Sequence, residues 1–106
     1  MTVTDNQGER RFELHDGERL LGRVDYRPAG ASLIIAHTEI EDGHAGQGLG
    51  SVLVRDMLDQ LRAADTTVIP LCPFTAAFIQ RHPDYADVVD PSVRAVHLNA
   101  AGRQYP

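Results

Sequence analysis

The most constraining feature of this sequence is a glycine-rich segment that separates a strand-like stretch from a helix-like stretch. Gly46, Gly48 and Gly50 occupy alternate positions in that segment. Residues 31–40, which precede it, are rich in branched apolar side chains and predict a strand buried on both faces. From about residue 47 to residue 64 the apolar residues recur with a helical period. This order predicts an α/β or α+β fold in which one crossover helix packs on a mixed, mainly antiparallel sheet.

The alternate glycines have two interpretations. Glycine lets a backbone approach a ligand closely and adopt a positive φ. A helix that begins there leaves its first N–H groups unpaired and directs the positive end of its dipole to the same place, which favours a phosphate group. The same glycines also suit a simple flexible turn, and the motif alone does not decide between the two.

Two well-known phosphate loops do not match the segment. A P-loop requires a lysine, and this chain has none, since all ten of its basic Lys or Arg positions are arginine. A dinucleotide-binding loop requires a third glycine three residues after Gly48, where Ser51 stands. The lead from Ile40 to Gly46 is also long for that turn.

Length and composition set further limits. One hundred and six residues predict one domain, and one cysteine excludes an internal disulfide framework. A net charge of −5 without a basic cluster disfavours nucleic-acid binding. No apolar run approaches the roughly 20 residues of a membrane span, and the polar N-terminus lacks a signal-peptide stretch. We therefore expect a cytoplasmic protein that has neither a nucleic-acid nor a membrane partner.

The remaining segments complete the predicted fold. A loose polar lead is expected over residues 1–9, a domain over 10–90 and a tail over 91–106. Asp16-Gly17 predicts the turn of a hairpin, and Pro28-Ala29-Gly30 ends its second strand. The other predicted elements are strands at 11–15, 19–27 and 67–71, a short helix at 73–81 with Phe74, Ala77 and Phe78 inward, a helical turn at 84–89, and an edge strand through Val93, Val96 and Leu98. On the main helix Leu49, Val52, Leu53, Met57 and Leu61 are predicted to share the buried face.

Residues 45–50, Ala-Gly-Gln-Gly-Leu-Gly, resemble the signature Arg/Gln-x-x-Gly-x-Gly/Ala of the GNAT acetyltransferases. Residues 37–40, 68–74 and 81–85 make the chain similar to the very small GNAT-like N-acetyltransferases of the Yjdj type. The resemblance extends over about residues 12–89. One departure is Ala45, which stands where the signature has Arg or Gln, so that side chain does not help to hold a pyrophosphate.

The resemblance implies a minimal GNAT fold with a cofactor-binding crossover helix and short C-terminal helices. It implies transfer of an acetyl group from acetyl-coenzyme A to an amine acceptor, without defining the acceptor. The implied coenzyme A-binding residues are Thr38 and Ile40, on the strand that bonds the pantetheine arm, and His44, Gly46, Gln47, Gly48, Leu49, Gly50 and Ser51 at the pyrophosphate. Two alternatives stay open: a coenzyme A-binding module with little or no catalysis, and an interaction domain whose glycines form only a turn.

Cys72 is a candidate catalytic residue. It precedes Pro73, a residue that suits the first position of a helix, so the cysteine is predicted to be the N-cap. A thiol at that place has its pKa lowered by the helix dipole and the free amides. The resemblance places it near the acetyl group. It could instead line the site without reacting, or serve as a small buried apolar side chain.

His37 and Glu39 are candidate general bases, because the two-residue period of a strand directs both to one face. The alternative is a histidine satisfied by a backbone partner and an exposed carboxylate. His82 and Tyr85 are weaker candidates for a general acid, and a surface role is favoured for both. The other histidines show no metal-ligand spacing, so no metal is expected.

Overall fold

Alternating apolar residues in the first forty positions form four antiparallel strands, and a fifth strand joins them in parallel through a crossover helix. The computed structural model describes residues 1–41, 43 and 48–94. The sheet order is β1-β2-β3-β4-β5. The elements are β1 (Thr2–Asn6), β2 (Arg11–Asp16), β3 (Arg19–Ala29), β4 (Ser32–Ile40), α1 (Leu49–Ala63), β5 (Thr67–Pro70), α2 (Pro73–Arg81) and a 3₁₀ helix (Pro83–Val88). This confirms the mixed, mainly antiparallel sheet and the crossover helix.

The core lies between one face of the sheet and α1. Its fully buried members include Phe12, Leu14, Val24 and Ile35 from the strands and Leu53, Val54, Met57 and Leu58 from the helix. The buried stripe of α1 is turned further than predicted, toward Val54 and Leu58. Val52 therefore lies on the far side and is 45% exposed. Within the described part of the chain, neither helix has the length and apolar character needed to cross a bilayer.

The two parallel strands separate after four residue pairs. Pairing of β4 with β5 runs from Ser32 and Thr67 to Ile35 and Pro70. The next two N–H groups, those of Leu71 and Cys72, both donate to the carbonyl oxygen of Ile35, at 3.1 and 2.9 Å. Residues 36–40 of β4 thus have β3 on one side and no pairing with β5 on the other.

The N-terminal residues are a strand rather than the loose lead that the sequence predicts. β1 pairs with β2, and Val3, opposite Leu14, is 6% exposed. Gln60 of α1 donates a hydrogen bond to the Val3 carbonyl at 2.8 Å. Asp5 accepts one from the Tyr26 hydroxyl at 2.6 Å. These contacts come from distant parts of the sequence, so the local polar composition did not reveal them.

Smaller differences concern the element ends. The β2–β3 turn falls at Gly17-Glu18, where Gly17 has a φ of 61°, one residue later than predicted. β3 continues through Pro28 to Ala29. Residues 91–94 form a helical turn, so Val93 is not in an edge strand. The Val96 and Leu98 positions of that predicted strand lie outside the described residues.

The face of the sheet opposite α1 carries a charged network around Glu13. The carboxylate contacts His15 Nε2 at 2.9 Å, Arg11 Nε at 2.6 Å and Asn6 Nδ2 at 3.0 Å. Hydrogen bonding from His15, together with Arg11 and Asn6, outweighs burial and lowers the pKa of Glu13 to about 2. Folding therefore favours the ionised form of this carboxyl group.

We predict that Glu13 makes folding sensitive to acid. Its ordinary pKa is 4.5, so its stabilising contribution is complete above that pH and is lost as the pH falls toward 2. Glu13→Gln should reduce the free energy of unfolding at pH 7 by about 1–2 kcal/mol, since the partners Arg11 and His15 are partly exposed and solvent screens the pairs. Urea unfolding between pH 7 and pH 3 should show a flatter profile for the variant. Glu18→Gln in the exposed turn is the control, and an equal pH profile for Glu13→Gln and wild type would contradict the prediction.

Candidate functional site

The N-terminus of α1 is suited to an anion. Gly48 is the N-cap with a φ of 74°, and the N–H of Val52 donates to its carbonyl at 3.2 Å. The N–H groups of Leu49, Gly50 and Ser51 precede the first intrahelical donor, so they have no acceptor within the helix. No acidic residue lies in the first turn. A Cβ built on Gly48 would meet no atom of the described residues within 4 Å, so they leave space beside this backbone. These features fit a phosphate group.

Gly50 allows a close contact between the two helices. A Cβ at this position would lie 2.7 Å from Cζ of Phe74 and 3.2 Å from two further ring atoms. Glycine here lets the Phe74 ring lie directly on the backbone of α1. Phe74 was predicted to point into the core, but it is 40% exposed, because Thr75, Phe78 and Ile79 form the buried face of α2. The contact brings the N-termini of the two helices together.

Cys72 lies at the N-cap of α2, as predicted, and is 4% exposed. Its sulfur is 3.3 Å from the hydroxyl oxygen of Thr38 on β4. Burial, the largest single influence, raises the pKa of the thiol. The Thr38 hydroxyl, the N–H groups of Thr75 and Phe74 and the Thr75 hydroxyl together outweigh it, so that the pKa is lowered. The sulfur makes no capping hydrogen bond of regular geometry, so these amides act at longer range.

Thr75 is a residue that the sequence analysis did not single out. Its side chain is fully buried, and its Oγ1 has no partner with hydrogen-bond geometry among the described residues. The only available signal was its position, three residues after a cysteine that was itself predicted to cap the helix. A threonine in an apolar helical stripe otherwise indicates nothing about function.

His37 and Glu39 share a face of β4, as predicted from the strand period. The imidazole Nε2 and the carboxylate Oε1 are 3.3 Å apart, and Arg23 of the neighbouring strand contacts the same oxygen at 2.9 Å. Both side chains are more than half exposed. Thr38, between them in sequence, points to the opposite face, where it meets Cys72. The structure therefore separates the candidate bases from the thiol.

The candidate acids His82 and Tyr85 are engaged in contacts with α2 and α1, respectively. The His82 ring contacts the Phe78 carbonyl through Nδ1 at 2.8 Å and stacks on the Phe78 ring. The Tyr85 hydroxyl donates to Asp59 at 2.7 Å, and burial followed by that carboxylate raises the pKa of Tyr85. Both side chains thus have structural partners.

Some predicted site residues cannot be compared with the structure. His44, Gly46 and Gln47 lie outside the described residues, as does the departure at Ala45. Ile40 is partly buried and packs against the core. In the ranges that the structure describes, no three His, Cys, Asp or Glu side chains come together in a way that could hold a metal ion.

Comparison with known proteins identifies the family. The family model for GCN5-related N-acetyltransferases matches residues 11–88. A GCN5-like protein from Staphylococcus aureus, assigned as an N-acetyltransferase, is 27% identical with a TM-score of 0.64, over 84% of this chain and 87% of that chain. The ribosomal-protein-S18-alanine N-acetyltransferase from Escherichia coli is 23% identical with a TM-score of 0.47, over 56% of this chain and 39% of that chain. No curated protein matches the sequence. Because the family model covers most of the sheet and all of α1 and α2, this chain belongs to the GCN5-related N-acetyltransferase family.

Proposed function

We propose that this protein transfers an acetyl group from acetyl-coenzyme A to an amine acceptor. The observation that carries the proposal is the separation of β4 from β5 after Ile35 and Pro70, beside a helix N-terminus that is free of acidic side chains. An unpaired strand edge offers backbone donors and acceptors to the amide groups of a pantetheine arm. A helix N-terminus offers N–H groups to phosphates.

The described residues divide the proposed binding of coenzyme A between two elements. Leu49, Gly50 and Ser51 would hold the pyrophosphate through their backbone N–H groups, with open space beside Gly48. The backbone of Thr38 and Ile40, on the unpaired edge of β4, would pair with the pantetheine arm. The contact of Phe74 with Gly50 and that of Cys72 with Thr38 connect the two elements. The acetyl group would then lie near the start of α2.

Transfer to an amine requires the removal of a proton. The new bond forms between the amine nitrogen and the acetyl carbon, the bond from that carbon to sulfur breaks, and the sulfur leaves as a thiolate that takes up a proton. An amine arrives from water as an ammonium ion, so a base has to accept its proton first. Glu39 and His37 are both exposed and in mutual contact, so either could pass the proton on to solvent.

We predict that an acidic side chain at the start of α1 prevents coenzyme A from binding. Ser51→Asp should leave the free protein as stable as wild type or raise its unfolding temperature slightly, because a carboxylate in the first turn favours the helix dipole. The same charge repels phosphate, so the Kd for coenzyme A should rise about tenfold or more. Isothermal titration calorimetry gives the Kd, and thermal unfolding gives the stability.

Ser51→Asn is the matched control, because asparagine has nearly the same shape as aspartate but carries no charge. It should bind coenzyme A within about threefold of wild type, a difference of less than 1 kcal/mol. Wild type at about 100 times its Kd should gain about 2.7 kcal/mol of stability. Equal affinity of Ser51→Asp and Ser51→Asn would remove the helix N-terminus from the proposed site.

A second prediction concerns the proton acceptor. Glu39→Gln keeps the size of the side chain but removes its basicity, and it should lower kcat by about 100-fold while the Kd for acetyl-coenzyme A stays nearly constant. His37→Asn tests the neighbouring candidate in the same way. Glu41→Gln, an exposed carboxylate beyond the end of β4, controls for a general loss of negative charge. Full activity in both Glu39→Gln and His37→Asn would assign the proton transfer to water.

A third prediction concerns the thiol. Cys72→Ser nearly preserves the volume of the side chain, so it should leave coenzyme A affinity unchanged and lower kcat partially, by about tenfold. Acetyl-coenzyme A should also protect Cys72 of the wild type from iodoacetamide. Mass spectrometry before addition of an amine would detect any acetyl group carried by the sulfur. If acetyl-coenzyme A does not change the rate of iodoacetamide labelling, and Cys72→Ser keeps full turnover, the cysteine lies outside the site.

A further inference from the structure

The fully buried hydroxyl of Thr75 is a polar group for which the described part of the fold provides no partner. It lies in the first turn of α2, and its Oγ1 makes no hydrogen bond within the described residues. An unpaired hydroxyl in such a place is destabilising, and valine has the same shape without that cost. A threonine here therefore indicates a partner that is present only in another state of the protein.

The usual structural partners do not account for this hydroxyl. Threonine in a helix often donates to a carbonyl one turn earlier. The corresponding oxygens, those of Leu71 and Cys72, receive no bond from Oγ1. The hydroxyl thus has no role in holding the backbone of α2.

The Cys72 sulfur is the group whose ionised form the Thr75 hydroxyl stabilises. It lies one turn earlier at the N-cap, and both the hydroxyl and the N–H of Thr75 favour its ionised form. Thr38 approaches the same sulfur from β4 at 3.3 Å. A neutral thiol is a weak acceptor, whereas a thiolate accepts several strong hydrogen bonds. A hydroxyl that has no partner beside the thiol thus acquires one when the sulfur is ionised.

We propose that Thr75 is a positioning residue whose hydroxyl donates a hydrogen bond to the Cys72 sulfur when that sulfur carries a negative charge. Thr38 and Thr75 then hold the sulfur from the strand side and from the helix side. The effect on the thiol is independent of any acetyl transfer. Its consequence for turnover rests on the proposed function.

The test compares Thr75→Val, which removes the hydroxyl but keeps the shape, with Thr75→Ser, which keeps the hydroxyl. Thiolate absorbance followed against pH titrates Cys72 directly, with Cys72→Ser as the blank, and the chain has no other cysteine. Thr75→Val should raise the pKa of Cys72 by about half to one pH unit, because one charge-assisted hydrogen bond is lost. Thr75→Ser should titrate like wild type. An unchanged titration in Thr75→Val would overturn the proposal.

Stability supplies a second and independent outcome. Thr75→Val should unfold at the same temperature as wild type or a few degrees higher, because it removes an unpaired buried hydroxyl. A large loss of stability in both Thr75→Val and Thr75→Ala, with Thr75→Ser intact, would show that the hydroxyl serves the fold and would overturn the proposal.

Turnover separates this proposal from the proposed function. In a wild type that acetylates an amine, Thr75→Val should lower kcat by about three- to tenfold, with KM for acetyl-coenzyme A within twofold. If the wild type acetylates no amine, but Thr75→Val shows the expected change in the titration of Cys72, the proposed function is rejected and the role of Thr75 is kept. Normal turnover of Thr75→Val, together with an unchanged titration of Cys72, would reject the role of Thr75 and leave the proposed function standing.

Discussion

The site depends on one carbonyl group, that of Ile35, which accepts hydrogen bonds from two consecutive N–H groups. A regular parallel ladder would supply one donor and continue along both strands. Here the N–H of Leu71 supplies the regular bond of the last pair, and the second bond, from Cys72, turns the chain away from β4. Pro73 then starts α2 at once, because its fixed φ suits the first helical position. The second bond to Ile35 and the helix start at Pro73 thus leave the strand edge open and place the thiol beside it.

The contact between Gly50 and Phe74 relates this opening to α1. The ring lies on a glycine that has no side chain to keep it away, so the first turns of both helices are close in space. Each helix directs unpaired N–H groups toward its own N-cap, Gly48 in one case and Cys72 in the other. The result is one region with two places that favour negative charge, one at each helix N-terminus, and the Cys72 sulfur occupies the place at α2. Under the proposed function, the cosubstrate would set its phosphates at α1 and its acetyl group near Cys72.

Local patterns predicted most of the fold and only part of the site. Strand alternation and helical periodicity act over a few residues, so they gave β2 to β5, α1 and α2 nearly at their observed bounds. β1 was missed, and a loose lead was predicted in its place, because the strand is held by Gln60 and Tyr26, which are far away in sequence. The inward position predicted for Phe74 was wrong, because the periodicity of a nine-residue helix does not decide which of two adjacent faces is buried. Thr75 was missed because an unpaired hydroxyl is a property of three-dimensional surroundings and has no signature in the chain.

The alternation of β4 divides the proposed chemistry between its two faces. Thr38 points inward to a buried sulfur, where low solvent access strengthens hydrogen bonds to a developing negative charge. His37 and Glu39 point outward to water, where a positively charged amine is stable before it loses its proton. The unpaired backbone edge lies between the two faces, in the plane of the sheet. A thioester held along that edge would be accessible to an amine from the solvent side, while its sulfur faced the start of α2. A single strand would then hold the donor and keep acceptor and leaving group on opposite sides.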